Sequence, residues 1–148
     1  METSLGRVLV DPMLRDARTT PPVENTPNPV RNPLVELPVP AQEVVLGIGL
    51  CIVTHLHSDH FDDAADALLP RELPLLTQPE SAEGLRTRGF TNVATSHDAI
   101  PMTRGRHGTG QTAVALGPVS GWMVHGVYIA GDTTWCATHG SSSFTSRQ

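Results

Sequence analysis

The stretch THLHSDH, residues 54–60, places three histidines and one aspartate at the end of the apolar run VVLGIGLCIVT, residues 44–54. The length and β-branched content of that run predict a buried strand rather than a helix. Imidazole and carboxylate groups are ligands that suit zinc, iron or manganese. Because His55 and His57 are two residues apart, an extended backbone projects both to the same side, where they can bind one ion together.

Asp59 and His60 follow where the strand is expected to turn into a helix. At that turn the chain reverses, so these two side chains can aim at a second ion nearby. Loops at strand ends, held by a rigid sheet, are common positions for catalytic residues. The alternative is a solvated polar turn. Four potential ligands in HxHxDH spacing after an apolar strand favour the metal site.

Composition predicts one folded domain with a modest core. The chain has 148 residues, of which 39% are hydrophobic and 17% charged, and this balance argues against wholesale disorder. The formal net charge is -5, and no Lys/Arg cluster is present. The composition therefore argues against nucleic acid as a partner. A small-molecule substrate, including an anionic one, is compatible because it needs only a local positive site such as a metal.

The expected compartment is the cytoplasm. The longest apolar run is about half of what a bilayer crossing requires, so no membrane span is predicted. The first residues do not combine a basic region with a long apolar region, so no signal peptide is visible. Cys51 and Cys136 are the two cysteines, and both are expected to be free thiols.

Alternating patterns predict an α/β (α+β) fold with a mixed sheet. Predicted strands cover 5–10, 44–54, 75–77, 92–95, 119–124 and 126–130, and predicted helices cover 62–69 and 79–88. Residues 21–40, which hold seven of the 13 prolines, are predicted to form an extended loop, either a flexible linker or a cover over a site. Residues 101–112 are predicted to form a loop, and 137–148 a disordered tail.

The motifs, taken in order, resemble those of the metallo-β-lactamase superfamily. THLHSDH resembles its HxHxDH signature, RHG at 106–108 resembles its third-histidine loop, and YIAGDT at 128–133 resembles its strand-end aspartate segment. VLVDPML and RHGTGQTAVALGPVSGWMV are most similar to the lactonase-like and phospholipase-D-like subgroup that includes ascorbate-6-phosphate lactonase. The resemblance covers residues 5–136, and its core motif is specific.

The resemblance implies a binuclear hydrolase site. His55, His57 and His107 would form the first metal site, Asp59 and His60 would contribute to the second, and Asp132 would bridge both. One or two Zn²⁺ ions are expected, with iron or manganese as alternatives. A metal-activated water would cleave an ester, lactone, amide or phosphodiester bond, and Asp59 would act catalytically by orienting that water or carrying its proton.

The chain departs from this family pattern at both ends. The family forms an αββα sandwich from two halves and has a further histidine well beyond the GDT segment. Residues 5–136 are therefore expected to form the first half only, as a truncated domain, with one metal more plausible than two. Exposed strand edges are expected to promote self-association.

Two other functions are compatible with the sequence. The first is an inactive fragment or metal-binding module without turnover. The second is a barrel amidohydrolase, which ranks last because that fold needs roughly 200 or more residues.

Three further residues are predicted to have structural roles. Asp11 is interpreted as ending a strand before Pro12, in slight preference to acting as a partner of a ligand histidine. Trp122 is expected in the core. His125 is expected at an exposed hairpin turn.

Overall fold

The structure, a computed structural model, describes residues 2–3, 6–22, 29–95, 100, 102–106 and 117–133. The strands are β1 (Glu2–Thr3), β2 (Gly6–Val10), β3 (Ile48–Val53), β4 (Leu75–Thr77), β5 (Val93–Ala94), β6 (Met102–Arg106), β7 (Pro118–Val124) and β8 (Val127–Ile129). The helices are α1 (Ala41–Val45), α2 (Asp63–Leu68) and α3 (Pro79–Thr87). The alternation of strands and helices followed by a hairpin agrees with the predicted α/β class.

The first sheet has the strand order β1-β2-β3-β4-β5. The terminal strand β1 is antiparallel to β2, whereas β2, β3, β4 and β5 run parallel to one another. Parallel neighbours need crossover connections, and α2 and α3 lie within those that follow β3 and β4. The carboxyl ends of β2 and β3 therefore meet at one edge of the sheet, with Val10 paired to Ile52.

Strand β3 is apolar throughout, and both of its faces are buried from Leu50 onward. Cys51 and Val53 pack in the cluster that contains residues of α2 and α3. Leu50 and Ile52 point the other way and pack with Trp122 of the second sheet. The described residues therefore form three layers: helices, the first sheet and the second sheet.

The second sheet is an antiparallel meander with the order β6-β7-β8. Val124 pairs with Val127, so β7 and β8 are joined by a two-residue turn. His125 (φ 47°) and Gly126 (φ 79°) occupy that turn, as expected for a hairpin turn with two positive φ angles. His125 is exposed and Trp122 is fully buried, so both predictions are confirmed.

Two sequence predictions about element bounds were wrong. The strand predicted over 44–54 begins only at Ile48, because α1 ends at Val45 and Gly47 reverses the chain at φ 67°. The loop predicted over 101–112 contains β6, which pairs antiparallel with β7. Backbone pairing to a neighbouring strand formed β6 without an apolar period. Residues 107–112 lie outside the described part of the chain.

The proline-rich segment 21–40 is a loop where it is described, at 21–22 and 29–40. Its regular pairing there is limited to one isolated bridge, between Thr20 and Asn32. The predicted tail, 137–148, lies outside the described residues. Among the helices that the structure describes, each is too short to cross a membrane.

Helix α2 begins at a buried aspartate that also holds the segment after β2. Asp62 Oδ1 accepts the Ala65 backbone N–H at 2.8 Å, which is an N-cap hydrogen bond. Asp62 Oδ2 accepts the backbone N–H groups of Leu14 and Arg15 at 2.8 and 2.9 Å. One carboxylate therefore fixes the helix start and the path of the chain beyond Asp11.

Candidate metal centre

Three strand ends converge at the candidate site. Asp11 follows β2, His55 follows β3, and Asp132 follows β8 of the second sheet. Two buried polar side chains hold the second sheet at this edge: Gln78 Nε2 donates to the Pro118 carbonyl at 2.9 Å, and Ser120 Oγ donates to Gln78 Oε1 at 2.9 Å. The site is therefore formed between the two sheets.

Asp132 lies between two histidines from the HxHxDH stretch. Its Oδ1 is 3.0 Å from His60 Nε2, and its Oδ2 is 3.6 Å from His55 Nε2. His57 Nδ1 approaches His55 Nε2 to 3.1 Å. One ligand atom each from His55, His60 and Asp132 can be chosen so that all three lie within 4.8 Å of one another.

These spacings fit a divalent cation. Ligand atoms at 2.0–2.2 Å from a tetrahedral zinc ion are about 3.3 Å apart. The nitrogen-to-oxygen and nitrogen-to-nitrogen distances around His55, from 3.1 to 3.6 Å, bracket that value. Imidazole nitrogen with carboxylate oxygen is also a ligand set that suits zinc, iron or manganese. His55, His60 and Asp132 are the residues whose ligand atoms could meet at one ion, and His57 borders this group through His55.

The two remaining predicted site residues are Asp59 and His107. The Asp59 side chain is 50% exposed, and its Oδ2 is 4.0 Å from His60 Nε2. Asp59 therefore borders the group from the solvent side. His107 lies outside the described residues, so its role as a ligand stays a prediction.

Burial keeps His55 in the neutral form that binds metals. The side chain is 2% exposed. Burial, the largest cause, and the charges of His60 and His57 lower the pKa of His55 to about 4. The charges of Asp132 and Asp11 act in the opposite direction but are weaker. A neutral imidazole offers a nitrogen lone pair to a cation at any pH well above that value.

The pKa of His60 is shifted in the opposite direction. Burial acts to lower its pKa, but the hydrogen bond and charge of Asp11, with the charges of Asp132 and Asp59, outweigh burial and raise it. The ring lies between two carboxylates, with Nδ1 2.9 Å from Asp11 Oδ2 and Nε2 3.0 Å from Asp132 Oδ1. A metal at His60 Nε2 must therefore compete with a proton.

Asp11 is a neighbour of the candidate ligands that the sequence interpretation underrated. It accepts hydrogen bonds from the Thr54 backbone N–H at 2.7 Å and from Thr54 Oγ1 at 2.8 Å, besides its contact with His60. Its φ of 44° lies in the left-handed region, which aspartate tolerates better than most residues. The preference for a simple strand-ending turn was therefore wrong. An aspartate directly after a strand, before a proline, is the available sequence signal.

Gly131 precedes Asp132 in a tightly packed position, and replacing it with alanine should disturb the fold and the site together. Gly131 has φ 55°, and an added Cβ would lie 2.8 Å from Thr54 Oγ1 and 3.1 Å from the Ser120 carbonyl oxygen. The left-handed backbone and the close contacts should together lower the free energy of unfolding by about 2–3 kcal/mol. Urea denaturation and zinc titration would measure both effects.

Gly126→Ala is the matched control for this substitution. Gly126 also has a positive φ, 79°, but an added Cβ there meets no atom within 4 Å. Gly126→Ala should lower the free energy of unfolding only by the backbone contribution, about 1 kcal/mol, and leave zinc affinity unchanged. Equal losses in the two variants would contradict the role of the Gly131 contacts.

Comparison with known proteins supports a hydrolase relationship. No protein-family model matches the chain. It is 35% identical over 147 residues to the UPF0173 protein YddR of Bacillus subtilis, covering 87% of this chain and 57% of that protein. It is 27% identical over 114 residues to a UPF0173 metal-dependent hydrolase of Methanocaldococcus jannaschii, covering 70% of this chain and 52% of that protein. The chain thus spans about half the length of these curated relatives.

Two crystal structures share the fold. A possible metal-dependent hydrolase from Veillonella parvula matches with a TM-score of 0.78 and 29% identity, over 90% of this chain and 58% of that one. This chain is a homologue of metal-dependent hydrolases. An isothiocyanate hydrolase from Delia radicum gut bacteria matches with a TM-score of 0.73 and 31% identity, over 87% of this chain and 57% of that one. The fold is metallo-β-lactamase-like over the part that is matched, which confirms the predicted fold class.

Proposed function

We propose that this chain provides the metal-binding part of a hydrolase that attacks a small-molecule substrate with a metal-activated water. The observation that carries the proposal is the convergence of His55, His60 and Asp132, with both Asp132 oxygens directed at histidines. The similarity to metal-dependent hydrolases supports the same reaction type. Zinc is the proposed ion, and iron or manganese would also suit these ligands.

Each residue of the site has a distinct proposed task. A bound divalent cation would lower the pKa of water toward about 7 and polarise an acyl or phosphoryl oxygen. His55, His60 and Asp132 are proposed to hold the ion, and His57 and His107 are proposed as further ligands. The half-exposed Asp59 is proposed as the catalytic carboxylate that orients the attacking water and accepts its proton.

The proposed substrates are esters, lactones, amides or phosphodiesters, including anionic ones. The isothiocyanate hydrolase neighbour adds isothiocyanates, in which water would attack an electrophilic carbon, to the compounds worth testing. The proposed compartment is the cytoplasm, consistent with the buried free thiol of Cys51. Burial, reinforced by the charge of Asp11, raises the pKa of that thiol, which makes it unreactive.

Metal content per chain, measured by mass spectrometry on protein purified without added metal or chelator, tests the proposal. About one equivalent or more of metal is expected in the native chain and little in His57→Ala, since His57 contacts His55. His125→Asn is the matched control, because His125 is an exposed turn histidine and asparagine tolerates its positive φ. Absence of metal from both the native chain and the control would reject the proposal.

Hydrolysis assays on the four bond types and on an isothiocyanate then separate an enzyme from a metal-binding module. Asp59→Asn is expected to keep the metal and lose turnover. Metal binding without turnover on any compound would favour the module.

Self-association stays a separate prediction. Val127 and Tyr128, on the terminal strand β8, are 51% and 46% exposed, and size-exclusion chromatography would test it.

A further inference from the structure

The Thr54 hydroxyl connects Asp11 to a ligand histidine. Thr54 is fully buried, and its Oγ1 lies 2.8 Å from Asp11 Oδ2 and 3.1 Å from His55 Nδ1. An ionised carboxylate can only accept hydrogen bonds, so the single hydroxyl proton is donated to Asp11. Thr54 Oγ1 must then accept from His55, which places the His55 proton on Nδ1.

Asp11 acts on His60 without an intermediary. Asp11 Oδ2 is 2.9 Å from His60 Nδ1, and the same argument requires Nδ1 to donate. The Thr54 backbone N–H, 2.7 Å from Asp11 Oδ1, holds the carboxylate in this orientation. Asp132 Oδ1 is 3.0 Å from His60 Nε2 and also accepts by this argument, so both nitrogens of His60 face a carboxylate. His55 Nε2 is 3.6 Å from Asp132 Oδ2, beyond hydrogen-bond distance, so Asp132 does not oppose a proton at His55 Nδ1.

We propose that Asp11 and Thr54 are positioning residues that together set the tautomer of one proposed ligand, His55, through the Thr54 hydroxyl. A histidine can bind a metal only through an unprotonated nitrogen, and the hydrogen bond at the other nitrogen decides which one that is. A carboxylate on the neighbouring strand would thus leave His55 Nε2 unprotonated for the ion. This inference rests on the proposed metal site, but the tautomer itself is measured without metal.

Two substitutions test the relay from Asp11 to His55. In Asp11→Asn, the Thr54 backbone N–H still requires the amide oxygen at the Oδ1 position, so the amide NH₂ takes the Oδ2 position and becomes a donor. Thr54 Oγ1 then accepts from this amide and donates its own proton to His55 Nδ1, which moves the His55 proton to Nε2 and blocks the ligand atom. Thr54→Val keeps the shape and the backbone N–H but removes the hydroxyl, so His55 should lose its fixed tautomer.

The ring nitrogens of ¹⁵N-labelled, zinc-free protein at alkaline pH report the tautomers by NMR. In the native chain, His55 should be protonated at Nδ1. In Asp11→Asn its proton should move to Nε2, and in Thr54→Val its proton should no longer be held at Nδ1. Thr54→Ser, which restores the hydroxyl, should return the native pattern, and Asp16→Asn, an exposed aspartate, should match the native chain throughout. A native His55 tautomer in both Asp11→Asn and Thr54→Val would overturn the proposal.

Zinc titration gives the second readout. Loss of such hydrogen bonds behind metal ligands typically weakens binding by about 10–100-fold, and we expect that range for Asp11→Asn and its lower end for Thr54→Val. Unchanged affinity in both variants would also overturn the proposal. If the native tautomer is as stated but zinc does not bind, the metal-site proposal fails while the tautomer assignment stands.

Discussion

Asp132→Ala is expected to weaken zinc binding on the order of 100-fold or more. Structural zinc sites are worth about 10–16 kcal/mol, so each ligand contributes roughly 3 kcal/mol, and 1.4 kcal/mol corresponds to a tenfold change. Asp132 should contribute at least this much binding free energy, because its two oxygens face different histidines, His60 at 3.0 Å and His55 at 3.6 Å. Removing it also leaves the two rings without their shared carboxylate.

Competition with a chromophoric chelator would measure this affinity. Asp63→Ala is a suitable control, because that carboxylate is 81% exposed and pairs with Arg15 away from the candidate ligands. Its zinc affinity should equal that of the native chain. An Asp132→Ala variant that is folded and binds zinc as tightly as the native chain would exclude Asp132 as a ligand.

Asp62→Ala is expected to lower the free energy of unfolding by about 3 kcal/mol. The substitution removes an N-cap, worth about 1 kcal/mol, and leaves the backbone N–H groups of Leu14 and Arg15 without their charged acceptor, at about 1 kcal/mol each. The penalty is large because Asp62 is only 2% exposed, so water cannot readily replace the lost acceptor.

Asp63→Ala, one residue further along, is the matched comparison in urea denaturation. Asp63 also lies in the first turn of α2, but as an exposed group it should contribute only about 0.5 kcal/mol. Asp62→Asn should fall between the two, because the amide oxygen can keep one acceptor position. Similar losses for Asp62→Ala and Asp63→Ala would mean that the buried hydrogen bonds contribute little.

The local elements were predictable where one pattern dominated. The helices over 62–69 and 79–88 were confirmed as α2 and α3 because an N-capping aspartate and an initial proline mark their starts. The strand at 75–77 was confirmed as β4. Strand β6 was missed because MTRGR carries no apolar period, and its pairing partner β7 begins only at Pro118, twelve residues beyond it.

The candidate ligands were largely predictable because their spacing is itself the chemical signal. His55, His57 and His60 lie within one short stretch, and Asp132 follows a strand in a recognisable segment. The structure brings these four residues together. Assignment of the ligands stays a prediction until metal binding is measured.

The sequence by itself determined the alternation of strands and helices and the type of ligand, since hydrophobic period, capping residues and ligand spacing are local properties. Tertiary structure alone decided the environment of those ligands. Asp11 and Thr54 are 43 residues apart in the chain, and they meet because β2 and β3 are parallel neighbours that end at the same edge. Hydrogen-bond partners, burial and the resulting pKa values depend on such distant contacts, and the local sequence does not encode them.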